Sequence, residues 1–251
     1  MKICLTLTAL IFGLTGIISA EPAGSTPAEV AELIKSKGKL VFEDDFNREE
    51  SDDSKEELGK GWVTNSKKRA AGTKQADLKG ESILITMAKH ADHGVSVRHD
   101  APYDDGVIQA RFKMHDAKGI SFNFNDPKCK ASHAGHICAV GVKPGQVMLR
   151  DGKTGIFDMK IQAKKKSGTS KKEINALTKD KFAYGKVKLE TGKWYDITIL
   201  IRGDVMSAWI DGKKVGELKS PGLDHEVKQN IAFAVSGTAE VDQLRIWSLE
   251  K

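Results

Sequence analysis

Two groups of residues in this chain have the types and spacing to do chemistry. The first is Asp126, His133 and His136, next to Asn125 and flanking a short polar stretch. Imidazole titrates near neutral pH and binds divalent metals, and a carboxylate beside it can orient it or share the ion. No second ligand pair follows His133-x-x-His136, so solvated loop histidines are the competing reading. His90, His93 and His99 form a looser group, open to the same two readings. The second set is Arg98, Gln109, Arg111, Asn123 and Asn125, joined by Asp196 and Thr198 if their strand lies in the same sheet. Amides and guanidinium groups hydrogen-bond ligand hydroxyls in pairs, and Trp209 offers a flat apolar face for stacking. Half-exposed strands carry polar outer residues in any case, so the pattern alone does not separate a site from a solvated face.

The elements that would hold these residues are strands. Tyr195, Ile197, Ile199 and Ile201 alternate with Asp196, Thr198, Leu200 and Arg202, the period of a strand with one buried face. Arg202-Gly203-Asp204 turns the chain, Met206, Ala208 and Ile210 alternate in their turn, and Asp211-Gly212 suits a type I′ hairpin. Ile108, Ala110, Phe112 and Met114 face a core and turn Gln109, Arg111 and Lys113 the other way. Phe122 and Phe124 do the same for Ser121, Asn123 and Asn125. Residues 136–142 and 146–150 make a hairpin about Lys143-Pro144-Gly145. About a dozen such strands predict an all-β fold of two stacked antiparallel sheets. A short N-terminal helix precedes them: Thr26 can cap it, Pro27 suits its first turn, Val30, Leu33 and Ile34 make its stripe, and Gly38 stops it.

Residues 1–20 read as a secretory signal peptide, with Lys2, an apolar run from Leu5 to Ile18 and small residues before Glu21. Residues 21–38 are then a linker with the short helix, and residues 39–251 one domain. The mature protein is expected to be secreted or periplasmic, with no membrane span once the signal is cleaved. Export would place Cys129 and Cys138 in an oxidising compartment, where a disulfide between them is expected; such a bridge is worth ~2–3 kcal/mol if unstrained. Two unrelated thiols are the alternative. The formal charge is +6, and residues 160–188 hold ten Lys against Glu173 and Asp180. That segment predicts a long exposed excursion with a short helix over 171–177. It is either a solvated face or a surface for an acidic polysaccharide. Export and the lack of interleaved aromatics argue against nucleic acid.

Hydrolysis by two Glu carried on a single strand is not expected: it needs two acids a few ångströms apart, and no Glu-x-Asp-x-(x)-Glu segment falls on a predicted strand. Glu43-Asp44-Asp45 lacks the spacing, and Glu49-Glu50 falls in a loop.

Gly192-x-Trp194-Tyr195 with its alternating strands, and Asp211-Gly-Lys-x-Val215 after them, resemble the late strands of concanavalin A-like jelly rolls. Leu40-Val-Phe-Glu-Asp-Asp-Phe-Asn-Arg48 resembles their opening strand, and Val241-Asp-Gln-Leu-Arg-Ile-Trp247 their closing one. Within that superfamily of lectins and glucanases the chain is most similar to the 3-keto-disaccharide hydrolase domain family. The resemblance implies a carbohydrate partner, bound across the concave side of one sheet. It also implies an elimination in which a C3 ketone acidifies the C2 hydrogen, a base removes it, and a cation or metal stabilises the enolate. On the face argument His136 is the candidate base, Arg111 the stabiliser, and Asp126 the group that orients the base or holds a divalent metal. A lectin-like module that binds without turnover is the alternative.

Overall fold

The computed structural model describes residues 25–251; the segment expected to be a signal peptide lies outside them. In chain order the elements are α1 (Ala28–Lys37), β1 (Gly38–Asp44), β2 (Val63–Thr64), α2 (Ser66–Arg69), β3 (Ala76–Lys79), β4 (Ser82–Thr86), β5 (Val95–Tyr103) and β6 (Gly106–Met114). Then come β7 (Ile120–Asn125), β8 (His136–Lys143), β9 (Gln146–Asp151), α3 (Met159–Lys166), α4 (Lys171–Thr178) and β10 (Phe182–Lys186). The chain closes with β11 (Trp194–Arg202), β12 (Val205–Ile210), β13 (Lys213–Lys219), β14 (Lys228–Val235) and β15 (Thr238–Leu249).

Two antiparallel sheets result. One has eight strands in the order β13-β12-β11-β6-β15-β4-β3, with β1 on β15; the other has seven in the order β10-β9-β8-β7-β14-β5-β2. The alternating residues meet between them as expected: Phe112, Ile197, Ile199 and Ile246 from one sheet, Phe122, Phe124, Val140 and Phe233 from the other, all at most 1 % exposed. Asp211 and Gly212 both take positive φ, 46° and 74°, the conformation a type I′ turn requires. The architecture is the expected jelly-roll sandwich. Three short strands, β2, β3 and β10, add to those the periodicity showed.

The helix α1 forms where expected but is built differently at its ends. It opens after Pro27 with no side-chain cap, and Thr26 instead accepts a hydrogen bond from the Gln109 amide. Gly38 does not end the chain's path in a left-handed turn; it is extended and leads straight into β1. A Cβ there would lie 2.5 Å from the Ile34 carbonyl oxygen, which is why only glycine fits the close passage from helix to strand. Val30 and Ile34 seat the helix on Val107, Trp209, Trp247 and Leu249, a second small core on the outer face of the eight-stranded sheet.

Residues 160–188 are more ordered than an irregular loop. The expected helix over 171–177 is α4, capped by Ser170 Oγ on the Glu173 amide. Before it lies α3, with no buried side chain and three consecutive lysines in its last turn.

The structure shows no disulfide: Cys129 and Cys138 are both free thiols. The cause is register. Cys138 stands opposite Phe124 on β7 and turns inward with it to the core, where burial pushes its thiol up to about 12. Cys129 packs against the same core from the loop, half-buried and unbridged.

Candidate functional site

The outer face of the seven-stranded sheet carries a trough of about 480 Å³. Strand register explains its shape. Ala234, Ser121, Gly141, Met148 and Tyr184 stand in one row across β14, β7, β8, β9 and β10. Ala232, Asn123, Ala139, Arg150 and Phe182 form the next row. Small residues in the middle and large ones on β9 hollow the face, and Phe157 is part of its lining.

His136 is placed in this trough by a loop that only glycine can close. A Cβ on Gly135 would come within 2.1 Å of the Asp126 carbonyl oxygen, so the chain folds back there with φ of 71° and delivers His136 to the first position of β8. The imidazole is then fixed by amides. Asn125 donates through Nδ2 to Asn230 Oδ1 at 3.0 Å, which turns its own oxygen to His136 Nδ1 at 2.8 Å. That oxygen can only accept, so Nδ1 carries the proton and Nε2 keeps its lone pair. Burial, and behind it Arg150, His133 and His93, draw the imidazole down to about 4. At neutral pH His136 is an uncharged base.

Arg150 stands beside it. Its guanidinium lies 4.9 Å from the centroid of the Phe157 ring, and the His136 ring packs on Phe157 at 4.4 Å. Nη2 reaches Asn123 Oδ1 at 3.4 Å, Nε is buried with no partner, and burial pulls the group below its ordinary range. Behind the site Asp151, fully buried, accepts from the Thr154 amide at 2.9 Å, Ser220 Oγ at 2.6 Å and the Gly222 amide at 3.1 Å. These bonds hold the turn that carries Phe157. Lys118, Lys143, His93 and His133 complete the lining, and no Asp or Glu is part of it.

The structure divides the sequence candidates between two opposite surfaces. Asn123, His133 and His136 line the trough, Asn125 orients His136, and Arg98 is exposed on β5 opposite Ala232. Gln109, Arg111, Asp196, Thr198 and Trp209 belong to the eight-stranded sheet, on the far side of the sandwich. Arg111 there meets Asp242 at 3.4 Å and Asp196 at 3.6 Å, so it is not brought to His136. Asp196 also takes a bond from Ser25, and Thr198 one from Gln109. Trp209 is 4 % exposed beneath α1 and has no free face for a sugar.

Asp126 is turned away from the trough and holds His225 Nε2 at 3.0 Å and the Lys128 amide at 2.9 Å. Among the described residues no three His, Cys, Asp or Glu side chains converge on a point that could hold a metal ion. The donor set of Asp126, His133 and His136 therefore does not fit a metal. The second histidine group is also dispersed: His90 meets the Ala70 carbonyl and Thr73, His99 stacks on Phe42, and only His93 reaches the trough.

Arg150, Phe157 and Tyr184 escaped the sequence reading. The hairpin turn at Lys143-Pro144-Gly145 held the signal for Arg150, since it sets β9 against β8 and puts Arg150 opposite Ala139, two strands from Asn123 on the same face. Phe157 lies in an irregular turn and has no periodic signal.

Three solved structures illustrate the fold. A non-specific endo-β-1,3(4)-glucanase from family GH16 superposes with a TM-score of 0.53 at 13 % identity, covering 86 % of this chain and 92 % of its own. The laminarinase from Flavobacterium sp. UMI-01 gives 0.53 at 14 %, over 84 % and 100 %. The GlcNAcα1-4Gal-releasing endo-β-galactosidase from Clostridium perfringens gives 0.54 at 10 %, over 84 % and 63 %. At such identities the likeness is one of fold. No curated protein matches the chain. The model of the 3-keto-alpha-glucoside-1,2-lyase-like domain matches residues 43–246, nearly the whole described sandwich with the trough inside it, and the chain belongs to that family.

Proposed function

We propose that this chain is an exported carbohydrate-active protein that cleaves glycosides already oxidised to a ketone at C3. The trough on the seven-stranded sheet is the place where it acts. His136 Nε2 takes the C2 proton, and the C–H electron pair moves onto the C3 carbonyl as an enolate. The Arg150 guanidinium, sheltered from water, stabilises that charge. The enolate then collapses, the C1–O bond breaks, and the departing oxygen takes a proton from water as the free alcohol, the hydroxide so formed taking back the proton held on His136. Water adding across the resulting double bond completes a net hydrolysis. A base drawn down to about 4 is weak in the resting protein. Negative charge developing beside it raises its proton affinity as the reaction proceeds.

One observation carries this reading: an uncharged imidazole with a fixed tautomer and a buried guanidinium pack on the same ring in a trough without carboxylates. That lining cannot run two-carboxylate hydrolysis, but an elimination needs only one base and one cation. The test is turnover of a 3-keto-glucoside by the purified mature protein and by His136→Ala. Cleavage that disappears in the variant while the fold is retained supports the reading; cleavage that survives removes His136 from it.

The same lack of carboxylates favours a second reading. No Asp or Glu is at hand to protonate the departing oxygen, as a lectin-like module that binds glycans without turnover would have it. Glycan binding with no cleavage of any 3-keto-glycoside would establish that alternative.

A further inference from the structure

The trough does not end at its walls. Its floor row continues from Met148 on β9 to Tyr184 on β10, the edge strand of the sheet. Tyr184 is 61 % exposed, more than any other large apolar side chain among the described residues. Its neighbour on the same face, Phe182, lies with its ring inclined by only 10° at a centroid distance of 6.1 Å. Two nearly parallel rings, one well exposed, make a strip at the mouth of the trough. Aromatic rings left open to water cost free energy unless something covers them, and pyranose rings present the flat C–H faces that stack on such strips.

The strip is held rigidly. Gly185, between Tyr184 and Lys186, faces the other way, and a Cβ there would sit 1.7 Å from the Val215 carbonyl oxygen. The edge strand is therefore pressed against β13, and its outward side chains keep a fixed direction. From Ala234 to Tyr184 the row crosses four strand spacings, ~19 Å at the usual ~4.8 Å each, which is longer than a disaccharide.

Charge tells what kind of chain would lie there. Beside the floor row, Lys143, Gln146 and Lys186 stand in register on β8, β9 and β10, and Lys118 lies close by. On the other flank are Arg150 and the imidazoles, and Tyr184 is near enough to Arg150 for the two to interact electrostatically. A path with lysines on one flank and Arg150 on the other, which starts in a trough with no Asp or Glu in its lining, attracts an acidic polymer.

We infer that the natural ligand is an extended anionic glycan, which runs out of the trough across β9 and stacks a sugar ring on Tyr184. This rests on the trough being the sugar site, and it adds a subsite and a substrate class to it. Of the ten lysines between residues 160 and 188, it engages Lys186 at the trough's edge.

The test is calorimetric titration of the full mature protein with uronate oligosaccharides and neutral glucans, each as di-, tetra- and hexasaccharides. Three variants are compared with it: Tyr184→Ala, Tyr184→Phe and Gly141→Leu. Gly141 has φ in the ordinary range, and a Cβ there comes no closer than 3.4 Å to Met148, so the leucine fills the floor without forcing the backbone. Uronate binding is expected to tighten with length and weaken with salt. Tyr184→Ala should remove about tenfold of the hexasaccharide affinity and leave the disaccharide unchanged, whereas Tyr184→Phe keeps both. Gly141→Leu should abolish binding at every length. If Tyr184→Ala binds the hexasaccharide as tightly as wild type, the subsite is wrong while the trough stands. If Gly141→Leu still binds the disaccharide, the trough itself is wrong. Equal affinity for neutral and uronate chains overturns the anionic class. Absence of all binding overturns the inference, and 3-keto-glucoside turnover, measured separately, then decides whether the trough acts on sugars at all.

Discussion

The two outer faces of this sandwich carry the same kinds of side chain and do different things with them. On the eight-stranded sheet every candidate has a protein partner. Arg111 faces Asp242 and Asp196, Lys113 meets Glu240 at 2.8 Å, Gln109 bonds Thr198, and α1 covers Trp209. On the seven-stranded sheet Lys118, Lys143 and Arg150 surround a hollow that no Asp or Glu enters. Polar residues at alternate strand positions mark the solvent side of either sheet equally well. What distinguishes the two faces is whether the protein itself neutralises the charges.

Exchanging the faces' roles by mutation is the direct way to break this comparison. The largest effect is expected at His136→Ala, which should lower 3-keto-glucoside turnover by ~10²–10⁴-fold in steady-state assays. Arg150→Gln should follow, at ~10²-fold, through loss of enolate stabilisation. Arg111→Gln, the same change on the far face, should alter turnover by less than ~2-fold, since its partners Asp242 and Asp196 are structural and lie away from the trough. A comparable loss from Arg111→Gln would end the separation of the two faces.

Stability sharpens the contrast from the other side. Ile34→Ala empties a methyl-lined seat under α1 and should cost ~2–4 kcal/mol in urea denaturation with turnover per folded molecule unchanged. Proton linkage at His136 gives a smaller and pH-limited effect. Its folded value, about 4, lies below the ordinary 6.5, so the neutral form is the one the fold accepts. The contribution is fully present above pH 6.5 and is lost as pH falls through about 4, because the unfolded chain takes up the proton first. The urea midpoint should therefore drop from pH 7 to pH 4 more in wild type than in His136→Gln. Turnover, which needs the neutral base, should persist down to about the same limit. Smallest of all is Asp242→Asn. Burial holds that carboxyl above its usual range despite Arg111, so the neutral isostere should change stability by under ~1 kcal/mol in the same assay.

The strands were legible in the sequence because alternation is local. Ile108 to Met114 and Phe122 to Phe124 point inward as their spacing requires, and Asp211-Gly212 turns as its dipeptide requires. Sheet membership was not legible, because it is settled by partners far away in the chain. β6 lies between β11 and β15, while β7, the next strand in sequence, lies between β8 and β14. One inter-strand loop therefore carries Arg111 and Asn123 to opposite sides of the molecule. The same limit hid the fate of Trp209, since nothing near it in sequence reveals that α1 will settle on top. His136 was singled out through its residue type. Its partner cation needed the register of two hairpins.

The passage from α1 into β1 through Gly38 leaves no slack between helix and sheet, and Ser25 is tied to Asp196 on that same outer face. The described chain thus enters the fold on the side away from the trough. Attachment through its amino end, to a resin or a sensor chip, should leave the trough facing the bulk solution. Fusion partners placed there would not compete with a polymer for access, which makes that end the natural handle for the titrations above.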